Sequence, residues 1–280
     1  MNKFRKAALA AVSAAAIAAG GLLPTAASAA VVQLGFILDR SGSISESEWD
    51  IITSGLSTAV GSLIPFVGPT QYEVSVVTFA STASIAINSV VVDSLLTRTG
   101  LAASILALGS GNNNTGGNTN YQDAFLKMQT ALTDNVGTIG YVKAGAGTTS
   151  YVNFATDGDP TERNSGNPQG TSDEEAAVLG RNALIAAGVD NISIEGIGVS
   201  NSNANFLRNS ICYPGPCDSI SPFDFPSYGF YIGVGNATQY AEAIKNKIQV
   251  VTGQVPEPGS LALLGLAMAG LAVVKRRRVA

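Results

Sequence analysis

The sequence contains no histidine, and this absence excludes several kinds of catalytic site. Ser-His-Asp and Cys-His nucleophiles need an imidazole base, and most structural or catalytic zinc sites use imidazole ligands. No phosphate-binding loop of the form G-x-x-x-x-G-K-S/T is present either. An enzymatic role therefore reduces to metal-assisted chemistry without a histidine base, such as phosphoryl transfer or hydrolysis.

Charged residues are also scarce, at 13% of the chain, and basic residues cluster at the two ends. Residues 1–29 carry Lys3, Arg5 and Lys6, then an alanine-rich apolar stretch, then the small-residue sequence 27–29. This order of charge, apolar core and cleavage site is typical of a secretory signal peptide. An alanine-rich helix of the mature protein is the alternative.

The other end, residues 255–280, has the same parts in reverse order. The stretch "VPEPGS" precedes fifteen uncharged, mostly apolar residues, 260–274, and then the basic cluster 275–278. As a helix the apolar segment reaches only about 22 Å, short of a hydrocarbon core of roughly 30 Å, although flanking residues and local thinning would let it span. The basic cluster would then stay cytoplasmic.

This C-terminal arrangement resembles the PEP-CTERM sorting signal of Gram-negative bacteria. The resemblance rests on Pro256-Glu257-Pro258, the apolar helix and the basic end, in that order at the terminus. It implies processing near the motif by an exosortase, a membrane protease-transpeptidase. An ordinary membrane anchor is the alternative.

Between the two ends the chain is acidic. Residues 30–255 hold nine lysines and arginines and nineteen aspartates and glutamates, a net charge of −10. Such a body repels phosphate backbones, so nucleic acid is not expected as a partner. Divalent cations and cationic surfaces are compatible with this charge.

The only two cysteines are Cys212 and Cys217, in the stretch "CYPGPC". An export signal places them in an oxidising compartment, and the Pro-Gly-Pro turn brings their ends together, which favours a local disulfide. Metal binding by the two thiols is the weaker alternative.

Strand-like apolar runs alternate with helical periodicity through the body of the chain. The run 31–39 reads as a strand buried on both faces, and Ser45 then caps a helix whose apolar residues follow at spacings of three and four. The runs 72–81 and 84–92 predict an antiparallel pair. Further strands are predicted at 150–160, 191–200 and 229–235, and helices at 97–108, 121–134, 172–187, 203–210 and 237–253. Alternating strands and helices predict an α/β fold with a mainly parallel sheet covered on both faces.

Two predicted strands end in aspartate, Asp39 and Asp157, and parallel strands gather their functional loops at their carboxyl ends. Ser41 and Ser43 follow the first aspartate, and Thr119 precedes a predicted helix at the same edge. Carboxylates and hydroxyls without imidazole or thiolate suit Mg²⁺, Mn²⁺ or Ca²⁺. With only two charged ligands, the ion would favour a further acidic ligand from outside.

Three of these stretches together resemble the von Willebrand factor type A family: "FILDRSGSIS" its D-x-S-x-S loop, "GGNTNYQDAF" its threonine loop, and "NFATDGDP" its T-D-G strand end. The resemblance covers nearly all of residues 31–253 and implies a doubly wound sheet with one antiparallel edge strand, in a domain spanning residues 30–254. It also implies a metal-ion-dependent adhesion site (MIDAS), often completed by an acidic side chain of the partner. Its ligands here would be Asp39, Ser41, Ser43, Thr119 and Asp157.

The leading hypothesis is therefore a binding domain and not an enzyme. It would hold a divalent cation, with Mg²⁺ expected first and Mn²⁺ or Ca²⁺ as alternatives, and bind an acidic group of a protein, matrix or polysaccharide partner. We expect export to the cell surface, outer membrane or extracellular space of a Gram-negative bacterium, with transient anchoring in the inner membrane. The alternative is a structural matrix or exopolysaccharide-associated protein in which the metal only stabilises the loops.

Overall fold

The structure is a computed structural model, and it describes residues 30–109, 116–133, 143–145, 147–165, 170–217 and 227–253. Within these residues six strands form a single sheet. The strands are β1 (Ala30–Asp39), β2 (Thr70–Phe79), β3 (Ala83–Val92), β4 (Thr149–Thr156), β5 (Asn191–Ile197) and β6 (Tyr231–Val234). Their order in the sheet is β3-β2-β1-β4-β5-β6. Strand β1 lies inside the sheet, β2 and β3 follow it toward one edge, and β4, β5 and β6 follow toward the other, so the sheet is doubly wound.

The sheet is mainly parallel with one antiparallel edge strand, as predicted. Strand β1 pairs in parallel with β4, β4 with β5, and β5 with β6, whereas β2 and β3 pair antiparallel. Only residues 80–82 join β2 to β3, too few for the crossover that a parallel pair requires. The short connection therefore fixes β3 as the antiparallel edge.

Helices cover both faces of the sheet: α1 (Glu46–Leu63), α2 (Leu95–Ala107), α3 (Tyr121–Thr133), α4 (Asp173–Ala186), α5 (Asn201–Phe206), which continues into a π-helical turn (Leu207–Ile211), and α6 (Ala237–Val251). One hydrophobic core lies between the sheet and α1, α2 and α6, and the second lies between the sheet and α3, α4 and α5. The predicted helices are confirmed, with ends that differ by a few residues. Three strands were predicted too long, since β4 ends at Thr156, β5 ends at Ile197 and β6 spans only Tyr231–Val234.

Helix α1 shows how local sequence sets these elements. The Ser45 hydroxyl accepts a hydrogen bond from the Glu48 backbone N–H, and the Glu48 carboxylate accepts one from the Ser45 N–H. This capping box satisfies two backbone donors that the helix itself leaves unpaired. Trp49, Ile52 and Leu56 then face the core at helical spacing, as predicted. The cap ends the loop after β1 and so fixes its length.

Parallel pairing brings the ends of β1 and β4 together. Leu38 of β1 lies opposite Ala155 of β4, so that Asp39 and Thr156 end their strands side by side. We call this end of the sheet the carboxyl edge and the opposite end, where β1, β4 and β5 begin, the base. The two aspartate-bearing loops leave from the carboxyl edge.

The predicted signal peptide and sorting segment fall outside the described residues. Within the described ranges no helix is both long and apolar enough to cross a bilayer.

Candidate metal centre

Asp39 is a buried carboxylate with both oxygens held by hydrogen bonds. Its side chain is 2% exposed. The Ser41 backbone N–H donates to Oδ1 at 2.8 Å, and the Thr156 hydroxyl donates to Oδ2 at 2.7 Å. The first bond comes from the turn after β1 and the second from the end of β4, so the carboxylate is oriented by both strands that meet at the edge.

A continuous row of side-chain oxygens extends outward from this carboxylate. The Ser41 and Ser43 hydroxyl oxygens lie 3.2 Å apart, and the Ser43 hydroxyl donates to Asp157 Oδ1 at 2.8 Å. Ser41 is buried, Ser43 is exposed and Asp157 is partly buried. The structure therefore brings four of the five predicted residues together, from the buried Asp39 to the solvent.

Thr119, the fifth predicted residue, lies in the loop before α3 and is 5% exposed. Its backbone N–H donates to the Thr161 hydroxyl at 2.9 Å, and its carbonyl accepts from the Thr161 N–H at 2.9 Å. The same loop contacts the turn after β1 that carries Ser41 and Ser43, because the Gly42 N–H donates to the Gly117 carbonyl at 3.2 Å. The threonine loop is thus bonded to both loops that carry the other four residues.

The turn between β2 and β3, residues 80–82, is hydrogen-bonded to the threonine loop. The Asn120 N–H donates to the Ala80 carbonyl at 2.9 Å, the Asn120 amide donates to the Ser81 carbonyl at 3.1 Å, and the Asn118 N–H donates to the Ser81 hydroxyl at 3.0 Å. The Asn120 side-chain oxygen also accepts from the Asp123 N–H in the first turn of α3. Asn120 therefore fixes the loop to the sheet and to the helix that follows.

A buried aromatic cluster lies beneath the carboxylates. The Tyr121 hydroxyl lies 2.8 Å from the Thr156 hydroxyl, which in turn donates to Asp39. The Tyr121 ring meets the Phe154 ring edge-on with centroids 4.7 Å apart, and Phe79 stacks on Phe154 at 5.6 Å. Such packed rings leave Thr156 little freedom, and the orientation of Asp39 follows from it.

Ionising the two carboxylates is unfavourable at this edge. Burial, and next the neighbouring Asp157 carboxylate, raise the pKa of Asp39 to about 7, against the opposing hydrogen bonds from Ser41 and Thr156. Burial also raises the pKa of Asp157. A divalent cation would offset both effects, since it favours the ionised form of each carboxylate.

The donor set fits a hard cation. Its side-chain donors are two carboxylates and three hydroxyls, all oxygen, as Mg²⁺, Mn²⁺ and Ca²⁺ prefer. No group of three or more carboxylate, thiolate or imidazole side chains forms a metal-binding cluster among the described residues. A cation at this edge would therefore depend on the hydroxyls as well as on the two aspartates.

Several supporting residues were missed by reasoning from sequence alone. Thr156 was visible as the first letter of T-D-G but received no role, whereas Thr161 and Asn120 gave no signal, because their partners lie some 40 residues away in the chain. Their contacts depend on the fold.

The disulfide lies far from this site. Cys212 and Cys217 are bonded, as predicted. The backbone of the neighbouring Tyr213 pairs with Ile192 at the start of β5, and so the loop belongs to the base. Arg181 holds it there by donating to the Ile211 and Cys212 carbonyls. The loop therefore lies at the opposite end of the sheet from the two aspartates.

The sequence profile of the von Willebrand factor type A domain matches residues 33–227. A second profile, that of the PEP-CTERM protein-sorting motif, matches residues 254–278. Comparison with curated proteins gives no match.

Solved structures share the fold at low sequence identity. Proximal thread matrix protein 1 from the mussel byssus, solved with a zinc-occupied MIDAS motif, is 14% identical with a TM-score of 0.50, over 80% of this chain and 48% of that one. The pilus adhesin SpaC from Lactobacillus rhamnosus GG is 12% identical with a TM-score of 0.55, over 80% and 30%. A von Willebrand factor type A structure from Catenulispora acidiphila is 12% identical with a TM-score of 0.52, over 80% and 43%. The chain thus spans half or less of these relatives.

Proposed function

Because the chain belongs to the von Willebrand factor type A family and carries a PEP-CTERM sorting motif, we propose that it is an exported, metal-dependent adhesion domain. It binds an acidic group of a protein or extracellular-matrix partner through a divalent cation. The residues that hold the cation are Asp39, Ser41, Ser43, Thr119 and Asp157.

The row of oxygens from Asp39 to Asp157 is the observation that carries this proposal. A buried carboxylate with a raised pKa lies at its inner end, and an exposed serine and a partly exposed aspartate lie at its outer end. A cation here would be held by the buried Asp39 on one side and would still be accessible to solvent on the side of Ser43 and Asp157. Zinc at the MIDAS motif of the mussel protein supports a divalent ion at this fold position.

The charge of the site favours an acidic partner and an oxygen-preferring metal. Two carboxylates would balance the charge of one divalent ion. Asp157, however, is only partly buried, and its Oδ1 also accepts a hydrogen bond from the Ser43 hydroxyl, which reduces the negative charge it offers the ion. The ion therefore remains electrophilic toward a carboxylate from outside. We propose Mg²⁺ as the ion, with Mn²⁺ and Ca²⁺ as alternatives, because all donors are oxygens.

Sorting by an exosortase follows from the C-terminal motif, which marks an exported protein of a Gram-negative bacterium. We propose that the segment 260–274 holds the chain in the inner membrane until processing. The domain then acts at the cell surface, at the outer membrane or in the extracellular space.

Capture of a surface partner tests this function. Immobilised protein is incubated with the organism's own surface fraction in Mg²⁺ or in EDTA. We expect a partner retained only in Mg²⁺ and lost with Asp157→Asn. The matched control is Asp159→Asn, which removes an exposed carboxylate two residues away and should retain the partner. Equal capture in EDTA, or equal capture by both variants, would contradict an adhesion role.

A structural role is the second candidate, and the bonds among the three loops favour it. Thr119 is tied to Thr161 and Gly42 to Gly117, so a cation between these loops would brace them further. Such a protein would show a higher melting temperature in Mg²⁺ than in EDTA while capturing no partner. These two results together would support a structural role, in which the cation only stabilises the loops, and would contradict the adhesion role.

Thr161 is expected to position Thr119, and Thr161→Val tests this. The valine removes the hydroxyl that accepts from the Thr119 N–H but keeps the shape of the side chain. Loss of such supporting bonds lowers metal affinity by about 10–100-fold. Thr161→Ser keeps the hydroxyl and should bind Mn²⁺ like wild type in a fluorescence competition titration. Equal affinity of the valine variant and wild type would remove this role.

A further inference from the structure

Apolar side chains are exposed at the base, where the domain ends. Leu96 is 81% exposed, Val67 is 76% exposed and Leu95 is 54% exposed. Val67 belongs to the loop 64–69, which contains no charged residue. We call these three residues the basal patch.

The three residues lie together because α2 begins where α1 ends. The Arg98 guanidinium donates to the Ile64 carbonyl at 3.1 Å and lies over the Phe66 ring, 4.7 Å from its centroid. Leu95 and Leu96 occupy the turn of α2 just before Arg98, next to the loop that carries Val67. The first turn of α2 and the loop after α1 thus form one surface.

The end of α6 lies at the same level. Gly55 in the middle of α1 packs directly on Ala241 in the second turn of α6, without room for a side chain between them. From these residues α1 continues for about 12 Å to Leu63, and α6 for about 15 Å to Val251, in the same direction because both helices follow parallel strands. Gly253, the last described residue, therefore lies at the same end of the domain as the basal patch.

Only six residues, 254–259, separate this point from the apolar segment 260–274. Fully extended, they span about 20 Å. A helix of fifteen residues would reach about 22 Å, less than a hydrocarbon core of roughly 30 Å. A segment that short would draw its flanking residues, and with them the base, toward the bilayer surface.

We infer that the basal patch lies against the phospholipid surface while the C-terminal segment is in the membrane. The domain then stands with its carboxyl edge pointing away from the bilayer, so that the candidate metal centre faces a partner. Aliphatic side chains enter the boundary between headgroups and acyl chains, and the nearby tail keeps them there at high effective concentration.

Tryptophan fluorescence in vesicles tests this orientation. The chain has one tryptophan, Trp49, which is 2% exposed and serves as a constant background. Leu96→Trp places a reporter in the basal patch. Leu106→Trp places a matched reporter on the same helix, about 15 Å further toward the carboxyl edge, at a residue that is 52% exposed.

The full chain is inserted into vesicles of phosphatidylethanolamine and phosphatidylglycerol with brominated acyl chains. We expect the emission added by Leu96→Trp to fall by about half relative to unbrominated vesicles, since the reporter enters the acyl boundary, and that added by Leu106→Trp to stay unchanged. Equal quenching of the two reporters, no quenching of either, or failure of the chain to float with the vesicles would each overturn the inference.

The inference rests on the proposed membrane retention by residues 260–274 but not on the cation, so the outcome of this test is separate from that of metal-dependent adhesion. Quenching should be the same in Mg²⁺ and in EDTA. A chain that binds no Mg²⁺ yet shows the expected quenching would contradict the adhesion role and leave the orientation standing.

Discussion

Asp39→Asn is expected to lower the affinity for Mn²⁺ or Mg²⁺ by more than about 100-fold, because loss of a direct ligand should exceed the 10–100-fold effect of losing a supporting residue. Asparagine keeps the size of the side chain, and its oxygen still accepts one of the two bonds that orient Asp39. The fold should therefore persist. Free Mn²⁺ measured by electron paramagnetic resonance reports the affinity directly.

The matched control for this variant is Asp50→Asn, which removes an exposed carboxylate on α1 and the same unit of charge. Its Mn²⁺ affinity should equal that of wild type. Melting followed by circular dichroism separates loss of binding from loss of folding. Retained affinity in a folded Asp39→Asn variant would remove Asp39 from the site.

Lys247→Met is expected to destabilise the domain by about 3–5 kcal/mol, because it leaves the buried Glu195 carboxylate without its cation. Lys247 on α6 and Glu195 on β5 are both buried, with the ammonium 3.6 Å from Glu195 Oε1. Burial lowers the pKa of Lys247 to about 8 and raises that of Glu195, and each charge partly offsets the effect on the other. Urea unfolding measures the change.

Two further variants identify the cause. Lys245→Met removes an exposed lysine from the same helix and should change the free energy of unfolding by less than about 0.5 kcal/mol. Glu195→Met combined with Lys247→Met removes both charges and should recover most of the lost stability, as replacements of whole buried pairs often do. If the double variant is no more stable than Lys247→Met, packing and not the uncompensated charge causes the loss.

The strands and helices were predictable because residues close together in the sequence identify each of them. The apolar run before Asp39 and the capping residues Ser45 and Glu48 need no distant partner to be recognised. The three-residue connection between β2 and β3 likewise fixes their antiparallel pairing. From such elements the topology of the sheet follows, and the topology brings Asp39 and Asp157 to one edge.

What the sequence did not reveal depends on contacts between distant residues. Asn191, Ser193 and Glu195 alternate with isoleucines, a pattern typical of a strand with one polar, solvated face, yet all three are buried. Lys247 compensates the charge of Glu195, the Asn191 amide donates to the Tyr228 carbonyl, and the Ser193 hydroxyl donates to Asn191. Lys247 and Tyr228 lie far from these strand residues in the sequence, so the strand sequence alone does not reveal them. The pairing of Thr119 with Thr161 is hidden for the same reason.

Isothermal titration of the EDTA-treated, dialysed protein with Mg²⁺ and with Mn²⁺ tests the cation site most directly. The arrangement of Asp39, Ser41, Ser43, Thr119 and Asp157 predicts saturable binding of one cation per chain, and no saturable heat with Asp39→Asn. A wild-type protein that gives no saturable heat with either metal, or a variant that binds as wild type does, would contradict the metal centre.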